Sequence, residues 1–257
     1  MVVTRPQPEA DRWCAMLRGQ GLVAHALPLI TIEPLTPDPE LASLRARLPT
    51  WDAVFCVSAQ AVRSFWGDDL PVLGGHTRFW APGPGTAKAL LGLGVPTERI
   101  DSPEPDAPQF DSEALWAVVG HRLRPGHRVL VVRGGGPSAR VYQGGQGRDW
   151  LAQRCVAVGA EVDACVAYRR VPPLWSVSER AFAQQLVADG GWWVFSSSEA
   201  VRHLVNLCPG LPWQNLRALA THPRIAQTLS EQGVVDVRTV RPTLPDLLSG
   251  LESKPHG

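Results

Sequence analysis

Two arginines stand where the sequence predicts the ends of buried strands. Arg5 follows the apolar run Met1-Val-Val-Thr4, and Arg133 follows Arg128-Val-Leu-Val-Val132. A guanidinium group binds a carboxylate through two parallel hydrogen bonds, so both arginines are candidates for holding an acidic ligand. The alternative is that each forms an ion pair at the edge of a sheet. The sequence leaves both interpretations open.

Small polar residues and glycine open the helices that are predicted to follow other strands. Ser58, Gly85 and the pair Ser196-Ser197 occupy such positions. Backbone N–H groups in the first turn of a helix have no partner inside the helix, so they can bind anions without any net positive charge. Serine at a helix start more commonly caps the helix. The two roles are compatible.

The chain as a whole carries almost no net charge. Its formal net charge is +1 and its pI is near 7.7, so it has no strong field that would collect nucleic acid or an anionic membrane surface. The ten tryptophans are mostly spread singly, without the clustered basic residues of a platform for stacking bases. We expect no nucleic-acid and no membrane partner, and an anionic ligand must be bound by local groups.

Cofactor and metal sites are not indicated. The five cysteines, an odd number, are scattered and never form a C-x-x-C pair, which favours neither disulfides nor zinc. Residues 137–147 are rich in glycine but lack the G-K-[ST] and G-x-G-x-x-G frames, so they predict a surface loop and argue against a flavin or nucleotide enzyme. No signal peptide and no long apolar run is found, which predicts a cytoplasmic protein.

Short apolar runs alternate with amphipathic segments along the chain. This alternation is typical of α/β folds with a parallel sheet covered on both faces. The predicted strands are residues 1–4, 22–32, 53–57, 79–81, 128–132, 162–171, 192–195, 216–220 and 234–240. The predicted helices are residues 9–17, 41–48, 58–65, 87–93, 111–123, 149–158, 176–188, 225–232 and 243–251.

The later part of the chain repeats the pattern of an earlier part. Residues 55–63 match residues 195–202 after one gap, and residues 80–90 match residues 219–229. Thr4-Arg5 corresponds to Val132-Arg133, each at the end of a strand. These matches imply two similar α/β units, the first interrupted by the second.

Two extended runs broken by prolines are predicted to join these units. Residues 27–35 carry the chain from the first domain to the second, and residues 162–171 carry it back, as two antiparallel strands. The predicted bounds are 1–33 with 172–257 for the first domain and 36–165 for the inserted one. Two crossings side by side form a hinge, and we expect a ligand-binding cleft above it.

Several of these stretches together resemble the uroporphyrinogen-III synthase family over nearly the whole chain. They are Val2-Val-Thr-Arg-Pro6, Leu27-Pro-Leu-Ile-Thr-Ile32, Ser58-Ala-Gln-Ala-Val-Arg63, Gly83-Pro-Gly-Thr-Ala87, Val166-Ala-Tyr-Arg-Arg170 and Phe195-Ser-Ser-Ser-Glu-Ala-Val201. No single motif is specific, but their order and spacing are. The resemblance implies two flavodoxin-like domains joined by a two-stranded linker, and it suggests a monomer.

The resemblance also implies an activity. It implies a cofactor-free lyase that closes hydroxymethylbilane, a linear tetrapyrrole with eight carboxylates, to uroporphyrinogen III, losing water and inverting the last pyrrole through an azafulvene and a spiro intermediate. On this basis Tyr168, on the returning strand, is the candidate acid that protonates the departing hydroxyl; the alternative is an ordinary strand residue. The implied substrate-binding residues are Thr4, Arg5, Ser58, Gln60, Gly83, Thr86, Arg133, Ser196, Ser197 and Thr221.

The chain departs from the family pattern at three places, one of which is the loop at residues 137–147, which is longer than the family needs and has no assigned role. Gln60 stands where asparagine is common, and Thr221-His-Pro-Arg-Ile225 replaces the Gly-x-x-Thr-Ala turn in the second copy. His222 there is more typical of a structural or solvated residue than of a catalytic one. The alternative function is a non-catalytic protein on the same fold that binds a tetrapyrrole or another anion.

Overall fold

The computed structural model describes residues 1–35, 37–67, 75–141 and 150–252. Its contacts divide the chain into two compact units, Met1–Ile32 with Val171–Gly257 and Glu33–Arg170. Both units are α/β, and the predicted fold class of two sheet-based α/β domains is confirmed. The predicted surface loop at residues 137–147 lies outside the described residues from position 142 onward.

The first unit is a five-stranded parallel sheet with helices on both faces. Its strands are β1 (Val2–Val3), β2 (His25–Ala26), β9 (Trp192–Phe195), β10 (Arg217–Ala220) and β11 (Asp236–Thr239). Its helices are α1 (Glu9–Arg18), α7 (Val177–Ala188), α8 (Ser198–Leu207), α9 (Pro223–Glu231) and α10 (Leu244–Glu252), with a 3₁₀ turn at Trp213–Asn215. The spatial order is β2-β1-β9-β10-β11, which is the flavodoxin-like order 2-1-3-4-5.

Alternating side chains on these strands fill two separate cores. Val3, Val194 and Leu219 pack with α1 and α10 on one face. Their chain neighbours Trp193 and Phe195 point the other way, toward α7, α8 and α9. A strand that is buried on both faces must be apolar at every position, because successive side chains alternate between the faces.

The second unit holds a six-stranded sheet. Its strands are β3 (Thr31–Pro34), β4 (Ala53–Cys56), β5 (Arg78–Trp80), β6 (Ile100–Asp101), β7 (Arg128–Gly135) and β8 (Glu161–Val171). Its helices are α2 (Pro39–Ala46), α3 (Ala59–Trp66), α4 (Pro84–Gly92), α5 (Ser112–Val119) and α6 (Trp150–Ala157), with 3₁₀ turns at Leu48–Thr50, Thr97–Arg99 and Gly120–Arg122. The order is β3-β8-β7-β4-β5-β6, and β3 makes this sheet a mixed one.

The two units share one arrangement of five strands, although the chain enters it at different points. β7 lies between β4 and β8 as β1 lies between β9 and β2. Val3 pairs with Val194, and Val131 pairs with Phe55, which places Arg5 and Arg133 at the same point along equivalent strands. The repeat read in the sequence therefore corresponds to a repeat in strand order.

The first crossing strand is shorter than residues 27–35. The Leu27 and Leu29 N–H groups donate to the carbonyls of Val3 and Thr4 at 3.0 and 3.2 Å, so this stretch still follows β1. Pro28 is tolerated between them because only alternate residues of a strand donate to a given neighbour. The strand that lies beside β8 begins at Thr31.

The structure differs from the sequence predictions at further points. Residues 198–207 form α8, which was not among the predicted helices. β6 was not predicted, because two residues carry no readable alternation. β7 runs on to Gly135, whereas the apolar pattern ends at Val132, because backbone pairing with β8 continues past the last apolar side chain. The helix predicted at residues 111–123 ends at Val119 and continues as a 3₁₀ turn, Gly120–Arg122.

Among the described residues no helix is long and apolar enough to cross a membrane.

One carboxylate fastens the amino-terminal edge of the second sheet. The backbone of Asp52 bonds to Arg128 on β7 and to Arg78 on β5. Its side chain accepts the Arg128 N–H at 2.8 Å and contacts His76 Nε2 at 2.8 Å. Burial alone would raise the pKa of Asp52, but the hydrogen bonds from Arg128 and His76 outweigh it and hold the pKa below its ordinary value.

We expect Asp52→Asn to lower the free energy of unfolding at pH 7 by about 1–2 kcal/mol, because a charge-assisted hydrogen bond to the β7 backbone is weakened. The pKa of Asp52 is depressed in the folded state, so its stabilisation is complete above the unfolded pKa of about 3.9 and is lost as the pH falls through the folded pKa. Urea unfolding of both proteins between pH 7 and pH 3 measures this. The difference in free energy of unfolding between the two proteins should narrow below about pH 4. A difference that stays constant would contradict a stabilising role for the ionised Asp52 carboxylate. Exposed Glu104→Gln is the control.

Candidate active site

Polar residues gather at the carboxyl ends of the strands in the second unit. Ser58 follows β4 and is the N-cap of α3, with its Oγ accepting the Ala61 N–H at 3.1 Å. Strands buried on both faces offer no polar side chains along their length, so a ligand meets polar groups where the strands end. This edge is therefore where a site can form.

Tyr168 lies on β8 and reaches this edge. Its hydroxyl is 3.3 Å from Ser58 Oγ, and either oxygen can be the donor. The side chain is 4% exposed. Ser58 Oγ already accepts a backbone N–H as the helix cap, and its hydroxyl proton remains free to be donated to Tyr168. The Tyr168 hydroxyl can equally donate to Ser58 Oγ. The structure thus brings together two residues that lie 110 positions apart in the chain.

Arg133 lies on β7, between the strands that carry Ser58 and Tyr168. Its buried Nε has no hydrogen-bond partner among the described residues. Nearby Cys165, on β8, is no rival nucleophile: burial raises the pKa of its thiol to about 12, although the charge of Arg133 acts in the opposite direction. A donor of a charged group without a partner is costly, and an anionic ligand would satisfy it.

Gln60 is occupied within its own helix. Its Nε2 donates to Ser64 Oγ at 2.8 Å, and its Oε1 accepts from Arg63 at 3.2 Å. An amide held at both ends is less free to bind a ligand. The structure therefore places Gln60 beside Ser58 in the chain but gives its side chain a local role.

Gly83 and Thr86 belong to the start of α4. Gly83 is the N-cap in an extended conformation, and a Cβ there would lie 2.9 Å from Phe110 Cβ, so the close approach of Phe110 requires glycine. Thr86 is buried, and its N–H bonds to the Gly83 carbonyl at 3.1 Å. In this turn Pro84 has no N–H and the Thr86 and Ala87 N–H groups bond to the Gly83 carbonyl, while Phe110 packs against Gly83.

The first unit presents an equivalent edge. Thr4 is 1% exposed, and its hydroxyl donates to the Val194 carbonyl at 2.7 Å, so it serves the sheet. Arg5 lies over the Trp13 ring at 5.0 Å, and its Nε has no partner among the described residues. Burial lowers the pKa of Arg5, and the charge of Glu9 partly offsets this. Arg5 and Arg133 therefore share both position and an unsatisfied donor.

The helix starts of the first unit are capped by side chains. Ser197 is the N-cap of α8 and accepts the Glu199 N–H at 3.1 Å, with Ser196 just before it at the end of β9. Thr221 follows β10, and its N–H bonds to the Phe195 carbonyl at 3.0 Å. His222 is the N-cap of α9, with Nδ1 accepting the Arg224 N–H at 3.1 Å. The histidine thus occupies the N-cap position that Gly83 holds in the second unit, and its side chain caps the helix.

These residues form two sets, one in each unit. Tyr168, Ser58 and Arg133 supply a proton donor and a cation in the second unit; Arg5 and the Ser197 helix start supply anion-binding groups in the first. In the described ranges no group of three or more His, Cys, Asp or Glu side chains is arranged to hold a metal ion. The chemistry available is proton transfer and the binding of carboxylates.

The family model described as uroporphyrinogen-III synthase HemD matches residues 11–249. Among curated proteins, uroporphyrinogen-III synthase of Escherichia coli is 28% identical over 249 residues, covering 93% of this chain and 93% of its own length. The enzyme of Salmonella typhimurium is 28% identical over 255 residues, with the same coverage.

Solved structures agree on the fold. A mutant uroporphyrinogen III synthase from Thermus thermophilus has a TM-score of 0.54 at 18% identity, covering 98% of this chain and 96% of that one. Uroporphyrinogen-III synthetase from Helicobacter pylori has a TM-score of 0.52 at 15% identity, covering 96% and 95%. At this level of identity the likeness concerns the fold alone.

We expect Ser58→Ala to lower the free energy of unfolding by about 1 kcal/mol, because α3 loses its N-cap. Ser197→Ala is the matched variant, since it removes the same kind of cap from α8 without a tyrosine contact. Chemical denaturation should give similar losses for both. A much larger loss for Ser58→Ala would show that the Tyr168 contact is mainly structural and would contradict the reading of this pair as a functional one.

Proposed function

The chain belongs to the uroporphyrinogen-III synthase family, and we propose that it is the enzyme that closes hydroxymethylbilane to uroporphyrinogen III in tetrapyrrole and heme biosynthesis. The observation that carries the proposal is the contact of 3.3 Å between the Tyr168 hydroxyl and Ser58 Oγ in a chain that matches the family over residues 11–249. The reaction needs a proton donor at its first step. This pair supplies one at the strand edge where ligands of such sheets bind.

The first step is the loss of water from the terminal hydroxymethyl group. Tyr168 transfers its proton to the departing oxygen while the pyrrole nitrogen supplies the electron pair that breaks the C–O bond. The products are water, a cationic azafulvene and a phenolate. Ser58 donates its hydroxyl proton to the phenolate in a hydrogen bond, which stabilises the charge as it forms.

The second part of the reaction inverts the last pyrrole. The substituted α-carbon of that pyrrole attacks the azafulvene and forms a spiro intermediate. In the spiro intermediate, the bond that joined the last pyrrole to its original methylene bridge then breaks. The unsubstituted α-carbon of the last pyrrole attacks that methylene carbon, which closes the macrocycle, and this α-carbon loses one proton. That proton returns to Tyr168. The net change is the loss of one water, and the enzyme ends in its starting protonation state.

The largest cost is holding a flexible chain with its ends together. Fixing both ends removes the conformational freedom of the chain before the reaction, so the reacting carbons are already held in position. The substrate's carboxylates are the natural anchors. We propose that these carboxylates are bound by Arg5 and Arg133, whose Nε atoms have no hydrogen-bond partner in the described part of the chain, and by the helix starts at Ser58, Gly83 and Ser197.

Thr4, Gln60, Thr86, Ser196 and Thr221 remain proposed substrate neighbours on the strength of their positions at the same edges. Binding of the substrate between the two units, a cytoplasmic location and a monomeric state likewise stay predictions. Thr4 and Gln60 are the weaker members, because their side chains already make hydrogen bonds within their units.

The purified protein, given freshly made hydroxymethylbilane, is expected to yield mainly the type III isomer. The products are oxidised to porphyrins and separated by chromatography beside a sample without protein. Spontaneous closure gives the type I isomer, so the isomer ratio reports the activity directly. Type I isomer alone, formed at the rate of the sample without protein, would refute the proposed activity. The alternative, a protein that binds a tetrapyrrole without catalysis, would then remain.

Tyr168→Phe is expected to lower kcat by about 100-fold or more, because general acid catalysis typically contributes that much and the phenyl ring keeps the packing. KM should change little, since the hydroxyl serves the reaction rather than anchoring. The control is Tyr142→Phe, which alters the chain's other tyrosine. If kcat of Tyr168→Phe stays within threefold of the wild-type value, Tyr168 is not the general acid.

A further inference from the structure

The pairing of β7 with β8 is irregular next to Tyr168. Arg133 pairs with Val166, but Gly134 pairs with Tyr168 and Gly135 with Arg169. Ala167 is therefore an extra residue on β8, which is the definition of a β-bulge. Without it, the regular register would set Ala167 opposite Gly134 and move Tyr168 one position along the strand. The bulge thus selects which residue of β8 faces Gly134.

The tyrosine ring lies directly over the Cα of Gly134. A Cβ at this position would be 2.4 Å from Tyr168 Cε2, 2.5 Å from Cζ and 2.8 Å from the hydroxyl oxygen. All three distances are shorter than real contacts allow. The atoms involved are the outer end of the ring, so the hydroxyl group is the part of Tyr168 that depends on this glycine.

We propose that Gly134 is a positioning residue for the reaction, because the absence of its side chain sets the Tyr168 hydroxyl against Ser58. This inference rests on the proposed function of Tyr168 as the acid. Gly134 itself does not touch the substrate in this proposal. Its contribution is the space that the ring occupies.

The conformation of the backbone does not explain the glycine. None of the glycines with positive φ in the described chain is Gly134, so an alanine there is compatible with the strand. The three atoms nearest to such a Cβ all belong to the outer end of the Tyr168 ring, which is the movable end of a side chain. Gly134→Ala is therefore expected to fold and to displace Tyr168 from Ser58. A shift of the donor by about 1 Å can lower a rate by up to about 100-fold.

Gly136→Ala is the matched control. It lies two residues further along the same segment, and a Cβ there meets nothing within 4 Å. Steady-state kinetics on both variants should show kcat at least tenfold lower for Gly134→Ala, with KM nearly unchanged, and wild-type kinetics for Gly136→Ala. Equal kcat for the two variants would overturn the proposal.

A spectroscopic readout separates displacement of Tyr168 from a general loss of structure. The chain has two tyrosines, so ring-labelled protein gives two sets of signals, and Tyr142→Phe assigns them. Gly134→Ala is expected to shift the Tyr168 signals, while Gly136→Ala leaves them in place. In the wild type, nuclear Overhauser contacts should join the Tyr168 ring to the α protons of Gly134; their absence would overturn the proposal even if the variant does not fold.

A double-variant cycle tests whether Gly134 acts through the tyrosine hydroxyl. If it does, Gly134→Ala lowers the activity of the wild type but not that of Tyr168→Phe, since the hydroxyl is already gone. Equal losses in both backgrounds would show an effect independent of Tyr168 and would refute the proposal. A wild type that forms no type III isomer would instead refute the proposed function, while the ring contacts would still report the packing.

Discussion

Burial of the parallel strands on both faces is the constraint on which the other features of each unit depend. Trp193, Phe195 and Val194 on β9 leave no polar side chain along the strand, and Val129 to Val132 on β7 do the same in the second unit. Polar side chains appear toward the carboxyl ends of these two strands, at Ser197 after β9 and at Arg133, where the apolar run of β7 ends. Chemistry in this fold is therefore confined to one edge of each sheet, because everywhere else a polar side chain would be buried without a partner.

The same edge has been used differently in the two units. Equivalent strand ends carry Arg5 and Arg133, and equivalent helix starts carry Ser197 and Ser58. In the second unit the extra residue in β8 brings Tyr168 to Ser58. The repeated strand arrangement thus places similar polar residues at equivalent positions in both units, and in the second unit Tyr168 contacts one of them.

The Nε atoms of Arg5 and Arg133 give a nearly neutral chain two local donors for the acidic ligand that we propose. Both Nε atoms are buried and have no hydrogen-bond partner among the described residues, and this arrangement costs free energy. A carboxylate that replaces the missing partner recovers that cost on binding. The affinity then comes from local geometry, and the overall charge of +1 is no obstacle.

Regular patterns in the sequence determined the fold class, the repeat and most of the elements. Apolar runs such as residues 53–57 and 192–195 predict buried strands because burial on both faces demands apolar residues throughout, and the capping box of Ser176 and Glu179 marks the start of α7. β6 escaped notice because it is only two residues long. The continuation of β7 through Gly135 escaped because backbone pairing leaves no trace in side-chain polarity.

The sequence by itself also selected the candidate residues, since strand ends and helix starts can be read from its pattern, and resemblance singled out Tyr168. Only the tertiary structure decided what each one contacts. In the structure, Thr4 bonds to a neighbouring strand, Gln60 bonds within its own helix and His222 caps a helix. Ser58 contacts the Tyr168 hydroxyl. The structure also showed why Gly134 is a glycine. The physical reason is that a contact between distant residues depends on the register of strand pairing, and a bulge of one residue changes that register without changing the polarity pattern along the chain.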